Sequence, residues 1–364
     1  MKAYKFRLYP NKTQDAEMRK HLWISKNLWN DMLEHTKTMY AAYGMFPTKK
    51  GLREFVKGSG LYSQVGQKLV DRLVDALGHK MRRKKRGLQG GFPRFKSFDR
   101  MRSLYYPQSG FGLGDRLKVS PFGDICIRIH REIQGTVKTL TLKREPSGKW
   151  FAVFVADAPQ ERKQNFGSRV GIDLGLKTFA TLSNGKVVRN PRHLRRHEDE
   201  LAFLQRQMSC KVKLSKNWQK GKLQVARLHE RVANTRRDFL HKTSTEMVSQ
   251  YSFIALEALA PKEMAEQRFG KSIHDAGWGM FANMLSSKAE SAGCEVVFVD
   301  PKNTTKECSR CGFLSKKDLW DRIHDCPSCG YRADRDLNAA EVILKRTTAG
   351  YAGSNAYGLV ATAT

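Results

Sequence analysis

No apolar run in this sequence approaches the roughly 18 residues that a bilayer-spanning helix needs. The opening stretch from Met1 to Pro10 (MKAYKFRLYP) alternates too strongly to act as a signal peptide. Internal repeats are missing as well. Acidic residues are scarce: 35 Asp and Glu face 66 Lys and Arg in 364 residues, a formal charge of +31. These shortages predict a soluble, intracellular protein without a membrane span. Hydrophobic residues at 40% and aromatics at 10% exclude a disordered polyelectrolyte. The length suits two or three structural units with real cores.

The positive charge is spread along most of the chain, so it is more than a basic tail. A surface of this kind repels itself unless a polyanion neutralises it. Lipidation signals and strongly amphipathic basic helices are lacking, which leaves nucleic acid as the expected partner, held through its phosphates and sensitive to salt.

Periodicity divides the chain. Tyr4, Phe6 and Leu8 share one face of a predicted strand that Pro10 and Asn11 stop. Helical spacing follows at Met18, Leu22, Trp29, Met32, Leu33 and Tyr40, with Asn11 or Thr13 as cap. A short helix after Thr48 and another from Tyr62 to Arg83 complete a helical unit inserted after one strand. From Ser103 to Ala158, short strands between turn residues predict a small antiparallel barrel, with Ile125, Ile127 and Ile129 on one face. A polar linker, Pro159 to Ser168, precedes an α/β unit. Its strands are expected at Val170 to Leu174, Thr178 to Leu182, Lys186 to Arg189, Phe253 to Leu256 and Glu295 to Val299. Long basic helices lie between Arg192 and Lys242 and are expected to line a nucleic-acid channel. A flexible tail is expected over 347–364.

Cations and aromatics interleave between the barrel and the helices. Lys80, Arg82, Arg83, Lys84, Lys85 and Arg86 form a dense run, and Arg94, Lys96, Tyr105 and Tyr106 follow among Phe92 and Phe95. Such a mixture suits backbone tracking with base stacking, although a charge run is also what a solvated helix end looks like.

Four of seven cysteines form two C-x-x-C knuckles, Cys308/Cys311 and Cys326/Cys329, with fourteen residues between them and a glycine after each, Gly312 and Gly330. This spacing fits one structural Zn²⁺ with four thiolate ligands. A disulfide pair is the alternative, disfavoured by an intracellular setting. Cys126, Cys210 and Cys294 lack partners at metal spacing.

Three acids stand at predicted element ends: Asp173 in Val-Gly-Ile-Asp-Leu-Gly, Glu257 after an apolar strand, and Asp336 ahead of a helix. Singly, each reads as a cap or an ion-pair partner. Together, in a chain built to hold polyanions, they suggest a site for two Mg²⁺, since hard divalent cations take carboxylate oxygens and serve phosphodiester hydrolysis.

Several motifs carry a family resemblance covering residues 2 to about 346: Tyr4 to Pro10, Phe92 to Ser97, Gly171 to Gly175, the strand ending at Glu257, Thr304-Thr305 and Asp334 to Ala340. In these the chain resembles TnpB, the transposon-encoded, RNA-guided DNA endonucleases related to type V CRISPR effectors. The resemblance implies a wedge β-barrel (1–10 and 91–160) with a helical recognition insert (11–90). It also implies an RNase H-like RuvC nuclease domain (168–305 and 332–346) carrying an inserted zinc ribbon (306–331). By matching motif, Asp173, Glu257 and Asp336 would be catalytic ligands of Mg²⁺, with Asp334 the competitor for the last place. Expected partners are a guide RNA from the transposon end and double-stranded target DNA with a short adjacent motif, on a protein monomer. The alternatives are a nuclease-inactive, RNA-guided DNA-binding regulator and a DNA-strand transposase. Thr305 stands where many relatives carry Ser.

Overall fold

A computed structural model describes residues 1–158, 163–267, 269–318 and 321–348. The chain divides into two units, Met1–Pro159 and Gln160–Thr364. Residues 159–162 of the expected linker and nearly all of the expected tail lie outside the described residues; Thr347 and Thr348 close the last helix.

In the first unit, β1 (Lys2–Tyr9) buries Tyr4, Phe6 and Leu8 by simple alternation. Asn11 then caps α1 (Lys12–Tyr43). Its side chain accepts from the Gln14 backbone N–H at 2.8 Å, and the Gln14 side chain accepts from the Asn11 N–H at 3.1 Å. Thr48 caps the short α2 (Lys49–Glu54), and α3 (Ser63–Lys85) turns Val65, Leu69, Leu73 and Leu77 inward. The cationic run from Lys80 thus forms the end of α3.

Six strands follow: β2 (Ser103–Tyr106), β3 (Phe111–Leu113), β4 (Arg116–Val119), β5 (Gly123–Arg128), β6 (Thr136–Arg144) and β7 (Trp150–Asp157). With β1 they make one antiparallel sheet in the order β2-β6-β7-β1-β5-β4-β3. Its two edge strands, β2 and β3, are consecutive and joined by only residues 107–110, so the sheet must curl into a nearly closed barrel. One core joins it to the helices, around Phe6, Leu8, Met18, Leu33, Tyr106, Trp150 and Phe154. Ile129 departs from the expected face: β5 ends at Arg128, and Ile129 is exposed. A bulge between Val137 and Thr139 lets Val137 and Leu140, of opposite parity, serve one strand.

The second unit is built on β8 (Ser168–Leu174), β9 (Thr178–Leu182) and β10 (Val187–Arg189). After these come α4 (Glu198–Ser209), α5 (Lys216–Gln250), β11 (Tyr251–Glu257), α6 (Pro261–Gln267), α7 (Gly270–Ala276), α8 (Trp278–Ala292) and β12 (Glu295–Val299). The sheet order is β10-β9-β8-β11-β12. The first three strands pair antiparallel; β11 lies parallel to β8, and β12 parallel to β11. The knuckle segment adds a small hairpin, β13 (Ile323–Asp325) with β14 (Arg332–Asp334), and α9 (Arg335–Thr348) closes the unit.

Helix α9 packs on β8, β9, β11 and β12, and Gly171 sets how close it comes. A Cβ at Gly171 would stand 2.1 Å from the Ala340 carbonyl oxygen and 2.8 Å from the Leu344 nitrogen. Gly171→Ala is expected to push α9 off the sheet and cost about 1–3 kcal/mol. Urea unfolding measures the loss; unchanged stability would show that α9 yields freely. Among the described residues, no helix is long and apolar enough to cross a membrane.

Candidate metal centres and catalytic site

Strand register brings two of the three acids together. In the parallel ladder Ile172 lies opposite Leu256, so the next residues, Asp173 and Glu257, stand side by side at the carboxyl ends of β8 and β11. Open α/β sheets bind ligands at this end of their strands. Asp336 arrives from a third element, the first turn of α9. Asp334 serves the helix instead. Its Oδ1 accepts the backbone N–H groups of Asp336 (2.8 Å) and Leu337 (3.2 Å), which caps α9.

The charges in this group are poorly compensated. Burial, then the neighbouring carboxylates of Glu257 and Asp336, hold the Asp173 carboxyl well above its usual range; Arg335 opposes the shift. Burial likewise raises Glu257, against a hydrogen bond from Thr304 and the nearby Arg346. The Thr304 hydroxyl donates to Glu257 Oε1 and so fixes that carboxylate. Arg335 Nε approaches Asp336 Oδ1 at 3.3 Å.

Two metals enter the reading. Among the described residues, only the four knuckle cysteines bring potential ligand atoms all within 4.8 Å of one another. Cys308 and Cys329 sulfurs lie 3.7 Å apart, and Cys311 and Cys326 sulfurs 3.5 Å. A tetrahedron with Zn–S bonds near 2.3 Å has edges of about 3.8 Å, so the set fits zinc. Its turns are built for this: Gly312 and Gly330 take φ of 77° and 67°, and their N–H groups bond to the carbonyls of Cys308 and Cys326 at 2.9 Å. A backbone N–H of Phe313 draws the Cys311 thiol down to about 6. The carboxylates of Asp173, Glu257 and Asp336 do not all come within 4.8 Å of one another. They still fit divalent cations chemically, as hard oxygen donors whose mutual repulsion a cation would relieve; Mg²⁺ keeps waters that fill the remaining positions.

The knuckles and the acids are mechanically joined. Asn338, fully buried on α9, accepts from the Ser309 N–H at 2.9 Å and donates to the Glu307 carbonyl at 2.7 Å. Glu341 accepts from Ser309 Oγ at 2.6 Å and from the Tyr331 hydroxyl at 3.0 Å, so both knuckles grip the helix that carries Asp336. Residue types alone did not reveal these roles of Thr304 and Asn338, because both depend on contacts distant in sequence.

The expected nucleic-acid residues, all in the first unit, divide. Lys80, Arg82, Arg83, Lys84, Lys85 and Arg86 form the basic end of α3 and its cap, and Arg94 is exposed. Lys80 also sits over the rings of Tyr40 and Phe92, at 4.8 and 4.6 Å. Tyr105 is half-buried under Lys68. Tyr106 is a correction: at 1% exposure it belongs to the barrel core, its hydroxyl donating to the Ser120 carbonyl at 2.8 Å, and it offers no face for stacking. Alternation would have told the two tyrosines apart, since Tyr106 shares its parity with buried Leu104. Lys96 also turns inward, 3.7 Å over the Trp29 ring; burial, then the charge of Arg72, lowers its pKa to about 8.

Comparison with known proteins agrees with this architecture. Residues 151–268 match the OrfB family model described as "Probable transposase", and residues 278–343 match "Cas12f1-like, TNB domain". Residues 1–45 match an OrfB "Helix-turn-helix domain", although here they form β1 and the unbroken α1. Among solved structures, the Cas12f1–sgRNA–target DNA complex aligns over 92% of this chain and 83% of its own, with a TM-score of 0.59 and 13% identity. The fold is therefore Cas12-like, α/β with a nearly closed barrel sheet. Two curated relatives are each 31% identical. One is "Putative RNA-guided DNA endonuclease InsQ" of Escherichia coli K12, covering 94% of this chain and 92% of the relative. The other is a "Putative RNA-guided DNA endonuclease" of Streptomyces pristinaespiralis, covering 94% and 88%. The chain belongs to the TnpB family, the OrfB group of IS605 elements.

Proposed function

We propose that this chain is the RNA-guided DNA endonuclease of a transposable element, cleaving double-stranded DNA beside a short target-adjacent motif by metal-dependent phosphodiester hydrolysis. One observation carries the reading: Asp173 and Glu257 stand adjacent in register at the carboxyl edge of the sheet, and their partner Asp336 stays close enough to raise Asp173. The names of the relatives support the same activity. The strand order β10-β9-β8-β11-β12, antiparallel on one side and parallel on the other, favours an RNase H-like, RuvC-type domain at 168–305 and 332–346. The first unit would supply the wedge barrel (1–10 and 91–160) and the recognition helices (11–90), with the zinc ribbon at 306–331.

Asp173, Glu257 and Asp336 would hold two Mg²⁺, which supply an activated water and stabilise the leaving oxygen. The chain's own residues prepare that place. Thr304 orients Glu257, Asp334 caps the helix that presents Asp336, and Gly171 admits that helix to the sheet. Guide RNA would choose the sequence by base pairing, on a protein whose +31 charge holds the phosphates, in the cytoplasm of a prokaryote with one protein per RNA.

The test is cleavage of a plasmid bearing target and adjacent motif by protein purified with its RNA. Cutting is expected with Mg²⁺ and is expected to stop when RNA is stripped or Mg²⁺ is withheld. Binding without cutting would favour the inactive regulator, and strand joining to transposon ends without RNA would favour the transposase. All three acids being present speaks for the nuclease.

A further inference from the structure

A second charged feature lies at the same edge of the sheet. Between the β8–β9 turn and the segment after β10 lies a cleft of about 460 Å³, lined by Lys177, Arg189, Arg192, Arg195 and Arg196 with Asn190, and by no acidic residue. All five cations are exposed. Among the described residues, no hydrogen bond or ion pair engages the side chains of these five. Glu198 lies close to Arg195, outside the lining, and is bonded to Lys271.

The walls of this cleft are fixed. Asn190 Nδ2 donates to the Leu176 carbonyl at 2.9 Å, fastening the segment to the β8–β9 turn, and its Oδ1 accepts the Arg192 N–H at 3.1 Å. Arg192 itself takes φ 49°, in the left-handed region. Further on, Asp275, only 8% exposed, accepts the Leu194 N–H at 2.9 Å and pairs with Arg236 at 2.7 Å. A buried ion pair therefore anchors a stretch that carries three arginines, and the backbone is held while the guanidinium groups stay free. Five cations gathered with no acid in the lining, on an anchored frame, suit a phosphate, which arginine recognises through two parallel N–H donors.

Position decides which phosphate. Lys177 is four residues beyond Asp173, so their Cα atoms are separated by no more than about 14 Å, and the turn bearing Lys177 leaves β8 at the end that presents Asp173. The geometry points to this cleft as the seat of a backbone phosphate of the DNA strand being cut, within about three nucleotides of the scissile bond. It thereby sets the strand's register over the acids. This inference rests on the endonuclease reading above and adds to it a substrate-positioning site.

The test uses the full chain with its guide RNA and a triple variant, Lys177→Ala/Arg192→Ala/Arg195→Ala, whose altered side chains are exposed and whose melting point should not move. Methylphosphonates, which lack the phosphate charge, are placed one at a time along the cut strand. With wild-type protein, one or two positions near the scissile bond are expected to slow cutting about tenfold. The variant should cut unmodified DNA about tenfold slower and show no further loss at those same positions, the non-additivity of partners in contact. Equal losses in both proteins at every position would overturn the assignment. So would a variant that retains its cutting rate, or one whose defect is weakened binding of guide RNA. Failure of the wild type to cut unmodified target with Mg²⁺ would instead sink the endonuclease reading beneath it.

Discussion

Replacing Asp173 by Asn is expected to abolish DNA cleavage, by roughly a thousandfold or more, and at the same time to raise the melting temperature of protein kept in Mg²⁺-free buffer. The two effects share one cause. Asp173 is buried beside Glu257 and Asp336, so its pKa in the folded chain stands above its value in the unfolded chain. A group raised in this way favours the folded state fully only below its unfolded pKa, and that advantage is lost as pH rises through the folded value. Above its unfolded pKa the metal-free wild type therefore carries a destabilisation, from burial and then from neighbouring carboxylates, that Asn lacks. A gain of about 2–4 °C corresponds to each kcal/mol relieved in a unit of this size. The gap between variant and wild type should widen as pH rises through the raised pKa and close in acid. Melting curves at several pH values, with zinc left in place, measure it. A variant less stable at every pH, or one that still cuts, would remove Asp173 from its assigned place.

Cys308→Ser is expected to cost both the bound zinc and most of the activity, a fall of about 10–100-fold in cleavage. Thiolate–metal binding and local folding are coupled, so three sulfurs should not keep the knuckles closed. The loss then spreads along defined bonds. Ser309 leaves Asn338 and Glu341, the grip on α9 slackens, and Asp336 loses its fixed position. Zinc content by atomic absorption, measured beside the cleavage rate, follows both changes. Cys210→Ser, at an exposed cysteine outside the knuckles, should change neither. Full cutting by Cys308→Ser without zinc would show that the ribbon does not support the acid.

Local signals in the sequence carried most of the framework, and the reasons are physical. Asn11 and Thr48 cap helices as their side chains dictate, Thr178–Leu182 and Glu295–Val299 form the strands that their spacing calls for, and paired knuckles leave thiols little other arrangement. What stayed hidden depends on partners far away in the chain. Neither strand alone reveals that Asp173 and Glu257 are neighbours; only the β8–β11 register does. Lys96 looked like a phosphate ligand because its inward partner, Trp29, is more than sixty positions away. Ile129 continued an alternation whose strand had already ended, and the bulge after Val137 absorbed a change of parity that pattern reading passes over. Of the two candidates in Asp334-Arg-Asp336, hydrogen bonding separates the helix cap from the acid left over, a distinction that composition does not contain.

Helix α5, at 35 residues, reaches about 50 Å, and its last residue leads directly into β11. Its other end meets α4 at the corner 210–215, where Val212 and Leu214 stand open to solvent. Exposed corners of this kind accept inserted sequence readily. A reporter or a base-modifying enzyme grafted there would ride on a rigid boom, held away from the strands that carry Asp173 and Glu257.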